Sequence, residues 1–299
     1  MNILCIGHAA YDITLPVLDY PIENKKIRLK IPHIECGGGP AATAAYLLAS
    51  WGIPTSFAGV IGEDYYGEKI REEFQKIGVS TKYLEANKKF KTTSSYIIAN
   101  QKNGTRTIIT SRDPKMEFEK ITKITDNFDY ILVDGDEFFV SYKTLKEKDK
   151  NTITMIDAGK YNENIVTLSK MVDYVVCSND FARDYTKLPL DYQDMNTIYK
   201  VYDKLENDFK GQVIITLEKY GSFTKVDGKY HLIPSLKVKT VDSTGAGDIY
   251  HGALLYFISQ DFPLLKAMYL ANVTSALSVT KFGTRFSIPA LKEVLAYDK

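Results

Sequence analysis

The chain has 299 residues, of which 44% are hydrophobic and 25% charged, a composition typical of a globular protein with a sizeable core. Its net charge of +1 gives no electrostatic reason to expect nucleic acid or an anionic membrane surface as a partner. No apolar run is long enough to cross a bilayer. The length allows two domains or one large α/β domain.

The three cysteines, Cys5, Cys36 and Cys177, are odd in number, scattered and without metal-ligand spacing. We therefore expect no disulfide framework and a reducing, cytoplasmic environment. The N-terminus also lacks the charged lead, apolar core and cleavage site of a signal peptide. The four histidines form no metal pair, and His251, one helical turn beyond Asp248, is interpreted as a residue that packs near Asp248 or supports it from behind without contacting substrate.

Short apolar runs alternate with helical patterns along the chain. The runs are apolar on both faces, as buried parallel strands are. In chain order the predicted strands are Asn2–Gly7, Thr55–Val60, Tyr130–Val133, Ile153–Ile156, Tyr174–Cys177 and Val213–Leu217. The predicted helices are Pro40–Trp51, Glu63–Ile77, Asn196–Phe209, Asp248–Ser259 and Leu264–Thr280. The alternation predicts an α/β fold with an open, mostly parallel central sheet and helices on both faces.

Two regions interrupt this alternation. The segment Ile13–Ile34 has β character with a charged middle, and Thr93–Thr110 holds two extended runs around Asn103-Gly104. Asn-Gly between β-rich runs is the strongest short-range signal for a hairpin. These pieces predict a small second sheet, formed by about residues 13–34 and 93–112, that projects from the main domain. An ordinary surface hairpin is the alternative.

The first candidate site residues follow the first predicted strand. Asp12 lies just past its end, at the edge where open α/β sheets bind ligands, and an ionised carboxylate can hold vicinal hydroxyls. Gly37, Gly38 and Gly39 let the backbone approach a ligand closely, immediately before a helix. Each signal is weak alone, because a lone Asp more often belongs to a turn.

The segment Val241–Ile258, VDSTGAGDIYHGALLYFI, is the most informative part of the chain. Its turn, Gly245-Ala246-Gly247, precedes an apolar helix, so several backbone N–H groups point to one side of a helix N-terminus. Such a site binds anions, typically phosphate. Asp248 at its edge can take a proton from a hydroxyl that attacks a bound phosphate. The alternative is a capped helix after a glycine turn.

This segment resembles the signature of the ribokinase-like, or PfkB, family of sugar kinases, which reads roughly DTTGAGD-x-F-x-G. Here the motif runs from Asp242 to Asp248, with Tyr250 in place of Phe and then Gly252. Upstream, GGGPAATAA at residues 37–45 is similar to the family motif GGxxxNxA.

The two motifs stand at the expected ends of a chain of the expected length, so the resemblance covers nearly all of it. It implies one ribokinase-like domain over residues 1–299, with a three-layer core. It also implies that the small sheet covers the sugar as a lid and mediates dimerisation.

The resemblance implies a role for each candidate residue. Asp248 is the general base, and the amides of Gly245, Ala246 and Gly247 stabilise the transferring phosphoryl group. Asp12 and the glycine run Gly37–Gly39 bind the sugar. The residues implied in binding ATP are Asn179, Thr216, Gly221 and Asn272. The residues implied in binding a monovalent cation, potassium, are Asp242, Thr244, Ser278, Gly283 and Ser287. Lys281 or Arg285 is the alternative source of positive charge at that site.

The chain departs from the family motifs at three positions. Ala42 replaces an Asn that commonly contacts substrate, and Glu218 replaces the first Gly of a nucleotide turn, TLGxxG. Ala182 replaces the Glu of an NxxE motif, which normally helps to organise Mg²⁺. Asp180, Asp184 or water is the alternative means of holding that ion.

The run GGGPAATAA is also similar to that of sulfofructose kinases, a branch that acts on a sulfonated ketose. Basic residues of the predicted lid that could clamp an anion are Lys25, Lys26, Arg28, Arg106 and Arg112. Against this, an acidic loop with Asp134, Asp136 and Glu137 follows a predicted strand into the same cleft, where it would repel an anion. We favour a neutral sugar.

The sequence thus predicts an ATP- and Mg²⁺-dependent sugar kinase, activated by potassium, that phosphorylates a primary hydroxyl of a ketohexose such as fructose. We expect a homodimer formed through the lid. Ribose, a nucleoside or a sugar acid stays open as substrate. In another class, a non-catalytic sugar- or nucleotide-binding regulator is supported only by Ala182. A Rossmann oxidoreductase is excluded, because no GxGxxG follows the first strand.

Overall fold

The structure, a computed structural model, describes residues 1–298. The strands in chain order are β1 (Ile3–Ile6), β2 (Ala10–Val17), β3 (Ile34–Gly38), β4 (Thr55–Gly62), β5 (Ser80–Asn87), β6 (Ser94–Asn100), β7 (Arg106–Ser111), β8 (Tyr130–Val133), β9 (Ile153–Ala158), β10 (Tyr174–Ser178), β11 (Gln212–Thr216), β12 (Ser222–Val226) and β13 (Lys229–Ile233). The helices are α1 (Pro40–Ser50), α2 (Tyr65–Ile77), α3 (Phe138–Glu147), α4 (Glu163–Ser169), α5 (Asn179–Thr186), α6 (Met195–Asp208), α7 (Ala246–Ser259), α8 (Leu264–Ser278) and α9 (Leu291–Leu295).

The central sheet has nine strands in the order β13-β12-β11-β10-β9-β8-β1-β4-β5. Seven of them, from β11 to β5, pair in parallel, and the hairpin β12–β13 continues the sheet in antiparallel pairing. The predicted α/β class and mostly parallel sheet are therefore confirmed.

Two apolar cores lie on opposite faces of this sheet. In β1, Ile3 and Cys5 face one core, with α1, α7 and α8, whereas Leu4 and Ile6 face the other, with α3 to α6. Successive side chains of a strand point to opposite faces, so a strand buried on both sides must be apolar at every position. The result is the predicted three-layer arrangement.

The ends of several elements differ from the prediction, and some elements were missed. Helix α2 begins at Tyr65 because the Asp64 side chain caps it by accepting from the Gly67 N–H. Strand β5, the hairpin β12–β13 and helices α3, α4, α5 and α9 were not predicted. Strand β5 is an edge strand that contains an exposed Lys82 and a buried Glu85, so its sequence lacks a continuous apolar run.

The second sheet has four strands in the order β3-β2-β6-β7. Its hairpin β6–β7 turns at Asn103-Gly104 as predicted, and Gly104 has a φ of 70°, which suits glycine. The segment Ile13–Ile34, predicted to have β character around a charged middle, forms strand only at its two ends, and residues 18–33 contain no strand. Pro21 and Pro32 lie in this stretch and cannot donate to a strand ladder.

The three cysteines are free thiols, and all three are buried. Of the helices formed within residues 1–298, none combines the length and apolar character needed to span a membrane.

Candidate active site

The carboxyl ends of the parallel strands meet at one edge of the central sheet, and the N-terminus of α7 lies at the same edge. The turn before α7 is the predicted anion-binding turn. Gly245 caps the helix with a φ of 72°, and its carbonyl accepts from the Ile249 N–H at 2.8 Å. A Cβ built on Gly247 meets no atom within 4 Å, so the turn faces open space where an anion can approach the free amides.

Asp248 stands in the first turn of α7 and is partly buried. Burial, followed by the nearby charge of Asp157, raises the pKa of Asp248 to about 6, while His251 and Arg106 act in the opposite direction. The carboxylate is therefore ionised at neutral pH and holds a pKa suited to accepting a proton.

Asp12 lies within β2 and is 5% exposed. The Thr284 hydroxyl donates to its Oδ2 at 3.0 Å. Burial raises the pKa of Asp12 to about 6, the Thr284 hydrogen bond opposes this, and the charge of Asp248 adds to it. A side chain at position 38 would collide with the Asp12 carboxylate, so Gly38 is required where the two strands pair. The predicted sugar-binding and catalytic carboxylates thus interact across one space.

Gly37 is held by an ion pair that the sequence analysis did not foresee. Its N–H donates to Glu73 Oε2 at 3.0 Å, and Arg285 Nη1 lies 2.7 Å from the same oxygen. The Arg285 guanidinium carbon lies 4.5 Å from the ring centroid of Phe74 and 5.1 Å from that of Tyr46. The Arg285 side chain therefore contacts Glu73 and Phe74 of helix α2.

The five residues implied in binding a cation come together in two adjoining segments. Asp242 Oδ1 accepts from the Thr244 N–H at 2.9 Å, and its Oδ2 accepts from the Gly283 N–H at 3.2 Å. The Asp242 N–H in turn donates to the Val279 carbonyl at 3.2 Å. Ser278, the last residue of α8, and Ser287, in the loop that follows, are both buried. The segment before α7 and the loop after α8 are thereby bonded to each other.

The residues implied in nucleotide binding lie at the ends of β10 and β11. Asn179 begins α5, the Thr216 hydroxyl donates to the Cys177 carbonyl at 3.3 Å, and Gly221 closes a short turn with a φ of 105°. Asn272 differs from these three. Its side chain is 4% exposed. The amide donates to Ser222 Oγ at 3.1 Å and to a β13 carbonyl at 2.9 Å, and these bonds link α8 to the sheet.

No cluster of three or more His, Cys, Asp or Glu side chains suited to a metal ion occurs in residues 1–298. Ala182 is fully buried in the core under α5. The alternative ligands Asp180 and Asp184 lie 2.8 Å and 3.6 Å from nitrogens of Arg183. Both carboxylates therefore already pair with the positively charged Arg183.

The acidic loop after β8 approaches the cleft as predicted. Burial raises the pKa of Asp134 to about 8 and that of Glu137 to about 8. From the end of β7, Arg112 Nη1 lies 3.0 Å from Asp136 Oδ1, and its Nη2 lies 3.8 Å from Glu137 Oε1. Arg106 donates to the Ser243 hydroxyl at 2.8 Å. Of the basic residues considered for an anion clamp, Arg112 is therefore paired with acidic groups, whereas Arg106 uses one donor on a neutral hydroxyl and keeps its charge free.

Asp157 was not considered in the sequence analysis, and it contacts His251. Asp157 stands near the end of β9, and its Oδ2 lies 3.2 Å from His251 Nδ1. Both are buried next to Asp248. The signal for Asp157 was the one that identified Asp12, a carboxylate close to the carboxyl end of a strand.

Fold and site together define an enzyme that transfers a phosphoryl group to an acceptor bound at the edge of an α/β sheet. The family model described as "pfkB family carbohydrate kinase" matches residues 1–291, and the chain belongs to that family. It is accordingly a sugar kinase of the ribokinase type.

Individual relatives agree with this placement. Ribokinase of Staphylococcus aureus is 26% identical over 98% of both chains. The bifunctional protein HldE of a Nitratiruptor species is 25% identical over 87% of this chain, and the match spans 56% of that longer protein. The solved structure titled Arabidopsis thaliana ribokinase complexed with ribose and ATP superposes with a TM-score of 0.82 at 22% identity, covering 99% of this chain and 97% of that one. That structure shares the fold.

Proposed function

We propose that the chain transfers the γ-phosphate of ATP to a primary hydroxyl of a small neutral sugar. The observation that carries this proposal is the arrangement of Asp248 beside the open Gly245–Gly247 turn, with Asp12 facing the same space. Attack of a hydroxyl on a γ-phosphate requires alignment, charge neutralisation and a proton acceptor, and these groups supply all three.

Each group has a distinct part in this mechanism. Asp12 accepts hydrogen bonds from sugar hydroxyls and orients the acceptor. Asp248, ionised above a pKa of about 6, takes the proton of the attacking hydroxyl. The amides of Gly245, Ala246 and Gly247 stabilise negative charge on the transferring phosphoryl group. The four-stranded sheet acts as the lid that excludes water, in a single ribokinase-like domain.

ATP is proposed to lie along the ends of β10 and β11. Asn179, Thr216 and Gly221 line this part of the edge, whereas the buried amide of Asn272 supports the fold beneath it. Mg²⁺ is proposed to be held largely by the phosphates and water, since the ion keeps several waters and Ala182 offers no carboxylate. Bound there, it would neutralise the phosphate charge.

The pairing of Arg112 supports a neutral acceptor over an anionic one. Asp134 and Glu137 are buried and, with pKa values raised to about 8, carry little charge at neutral pH, but Arg112 is held by Asp136 of the same loop. An anionic substituent would have to displace that pairing. Lys25, Lys26 and Arg28 remain exposed.

Dimerisation through the lid and a cytoplasmic location are further parts of the proposal. Tyr96, Ile108 and Ile109 expose 42%, 44% and 57% of their surface on the second sheet, and β7 is its edge strand. An exposed apolar edge strand is a surface suited to pairing with another copy. The three free, buried thiols fit a reducing compartment.

The identity of the sugar has two candidates. The ribokinase relatives favour ribose, whereas the sequence analysis favours a ketohexose such as fructose. Both offer a primary hydroxyl and vicinal hydroxyls to Asp12. We expect ADP release in the presence of one of these sugars to exceed that with nucleosides, sugar acids or a sulfonated ketose by at least about tenfold, or 1.4 kcal/mol.

A coupled ADP assay over that panel tests the function. Asp248→Asn serves as the blank, because it separates catalysed transfer from contaminating ATPase activity. Preference for an anionic acceptor contradicts the neutral-sugar proposal. Sugar binding without any ADP release would instead favour a non-catalytic regulator.

Potassium is expected to raise turnover. Asp242, the Thr244 carbonyl and the carbonyls of the loop containing Ser278, Gly283 and Ser287 supply the oxygen ligands that a hard cation prefers. Arg285 is engaged by Glu73, and Lys281 is exposed, so neither replaces the ion. The ion would order the turn whose amides bind phosphate.

Turnover in potassium, sodium and tetramethylammonium at equal ionic strength measures this effect without a difference in screening. Lys281→Ala is the matched control, and its response to potassium should equal that of the wild type. Equal wild-type rates in all three salts would show that no cation acts here.

A further inference from the structure

His251 is buried between the central sheet and the anion-binding turn. It lies on the second turn of α7 and is 3% exposed. Its Nδ1 lies 2.6 Å from the Gly247 carbonyl oxygen, and its Nε2 lies 3.2 Å from the Val176 carbonyl oxygen on β10. The ring therefore bridges the turn that binds phosphate and a strand at the centre of the sheet.

A third acceptor faces the same ring. The Oδ2 atom of Asp157, on β9, lies 3.2 Å from His251 Nδ1, and Asp157 is 5% exposed. Both ring nitrogens thus face acceptor oxygens, whereas a neutral imidazole carries only one N–H donor. A ring protonated at both nitrogens satisfies both carbonyls, and the Asp157 carboxylate balances its charge.

Burial and hydrogen bonding act in opposite directions on His251. Burial is the larger effect and lowers its pKa, whereas the carbonyls of Gly247 and Val176 and the charge of Asp248 raise it. Burial also raises the pKa of Asp157 to about 7, and the charge of Asp136 adds to that. A neutral ring leaves a lone pair against a buried carbonyl, which is costly, and a protonated ring beside an ionised Asp157 avoids that cost.

We propose that His251 is a doubly protonated positioning residue that, with Asp157, fixes the Gly245–Gly247 turn on the sheet and keeps Asp248 ionised. The proposal rests on the role of Asp248 as the base. It adds a specific arrangement to that role, a buried imidazolium–carboxylate pair one helical turn from the proton acceptor.

The pair acts on Asp248 through charge. The charged groups that face Asp248 are Asp157, Asp12, His251 and Arg106. Asp157 raises the pKa of Asp248, whereas His251 and Arg106 lower it, and Asp248 in turn raises the pKa of Asp12. Without a positive ring, the Asp157 and Asp248 carboxylates are uncompensated neighbours of like charge, and neighbouring carboxylates do not both ionise readily. Loss of His251 should therefore move the acidic limb of the rate profile to higher pH.

Nuclear magnetic resonance of the ring nitrogens tests the charge state on the wild-type enzyme. The chain has four histidines, so His251→Gln assigns the signal by its disappearance. We expect both nitrogens of His251 to be protonated at pH 7. One protonated and one bare nitrogen would overturn the proposal. This readout does not involve activity, so it stays valid if another residue were the base.

The pH profile of kcat/KM tests the effect on catalysis. His251→Gln should shift the acidic limb upward by about one unit, which lowers the rate about tenfold at pH 5 and leaves it little changed at pH 9. The double variant with Asp157→Asn removes both charges and should return the limb towards its wild-type position.

His231→Gln on strand β13 is the matched control and should leave the profile unchanged. A loss of the same size at every pH in His251→Gln, with no return in the double variant, would mean that the ring has only a structural role and would overturn the proposal.

Discussion

Replacement of Asp248 by Asn is expected to lower phosphoryl transfer by about 10²–10⁴-fold while leaving sugar binding and the fold intact. Asn has nearly the same shape as Asp and can occupy the same place in the first turn of α7. It cannot accept the proton of the attacking hydroxyl. The amides of the preceding turn remain in place, so binding energy from the phosphate is kept.

Steady-state turnover and calorimetry of sugar binding separate the two effects in Asp248→Asn. Asp227→Asn is the matched control, because Asp227 is exposed in the β12–β13 turn and has a φ of 49° that Asn tolerates. Turnover within threefold of the wild-type value would remove Asp248 from the role of base.

The role of Asp248 as the base also predicts how the turnover of the wild-type enzyme depends on pH. Asp248 must be ionised to act, and its pKa is raised to about 6. The rate should therefore be full above pH 7 and should fall about tenfold for each unit below pH 6. A rate that stays constant down to pH 5 would contradict the assignment.

The central sheet could be predicted because its inner strands must be apolar on both faces. Strand β8 was predicted at its observed bounds, since Ile131, Leu132 and Val133 are buried between two layers of helices. Edge elements could not be predicted in this way. Strands β5 and β13 form the two edges of the sheet and contain exposed residues, so neither shows a continuous apolar run, and the short helix α5 has too few turns to show a period.

The part of the candidate site that lies in one continuous segment could be predicted from the sequence. The turn Gly245–Gly247 and Asp248 are contiguous, so the sequence shows both. Interactions between distant segments left no such signal. The contact of His251 with Asp157 joins residues 94 positions apart, and that of Arg285 with Glu73 joins residues 212 apart. Only the packing of α7 on β9, and of the last loop on α2, brings these charges together.

Replacement of Asp12 by Ala is expected to weaken sugar binding by roughly 1.5–3 kcal/mol, or about 10- to 100-fold, with little change in ATP binding. The Asp12 carboxylate is buried and accepts from the Thr284 hydroxyl, which leaves oxygen lone pairs to accept sugar hydroxyls. Protonation removes part of that capacity. Because burial raises the pKa of Asp12 to about 6, wild-type sugar affinity should also fall as the pH drops below 6.

Calorimetry with the sugar and, separately, with a non-hydrolysable ATP analogue measures the two affinities in Asp12→Ala. Asp19→Ala is the matched control, since Asp19 is exposed and pairs with Lys102 on the outer part of the second sheet. Asp12→Asn adds a second comparison, because it keeps the shape and one acceptor but loses the charge, and its affinity should lie between those of wild type and Asp12→Ala. Unchanged sugar affinity in Asp12→Ala would exclude Asp12 from the sugar site, and an equal loss for the ATP analogue would show that the substitution acts through the fold.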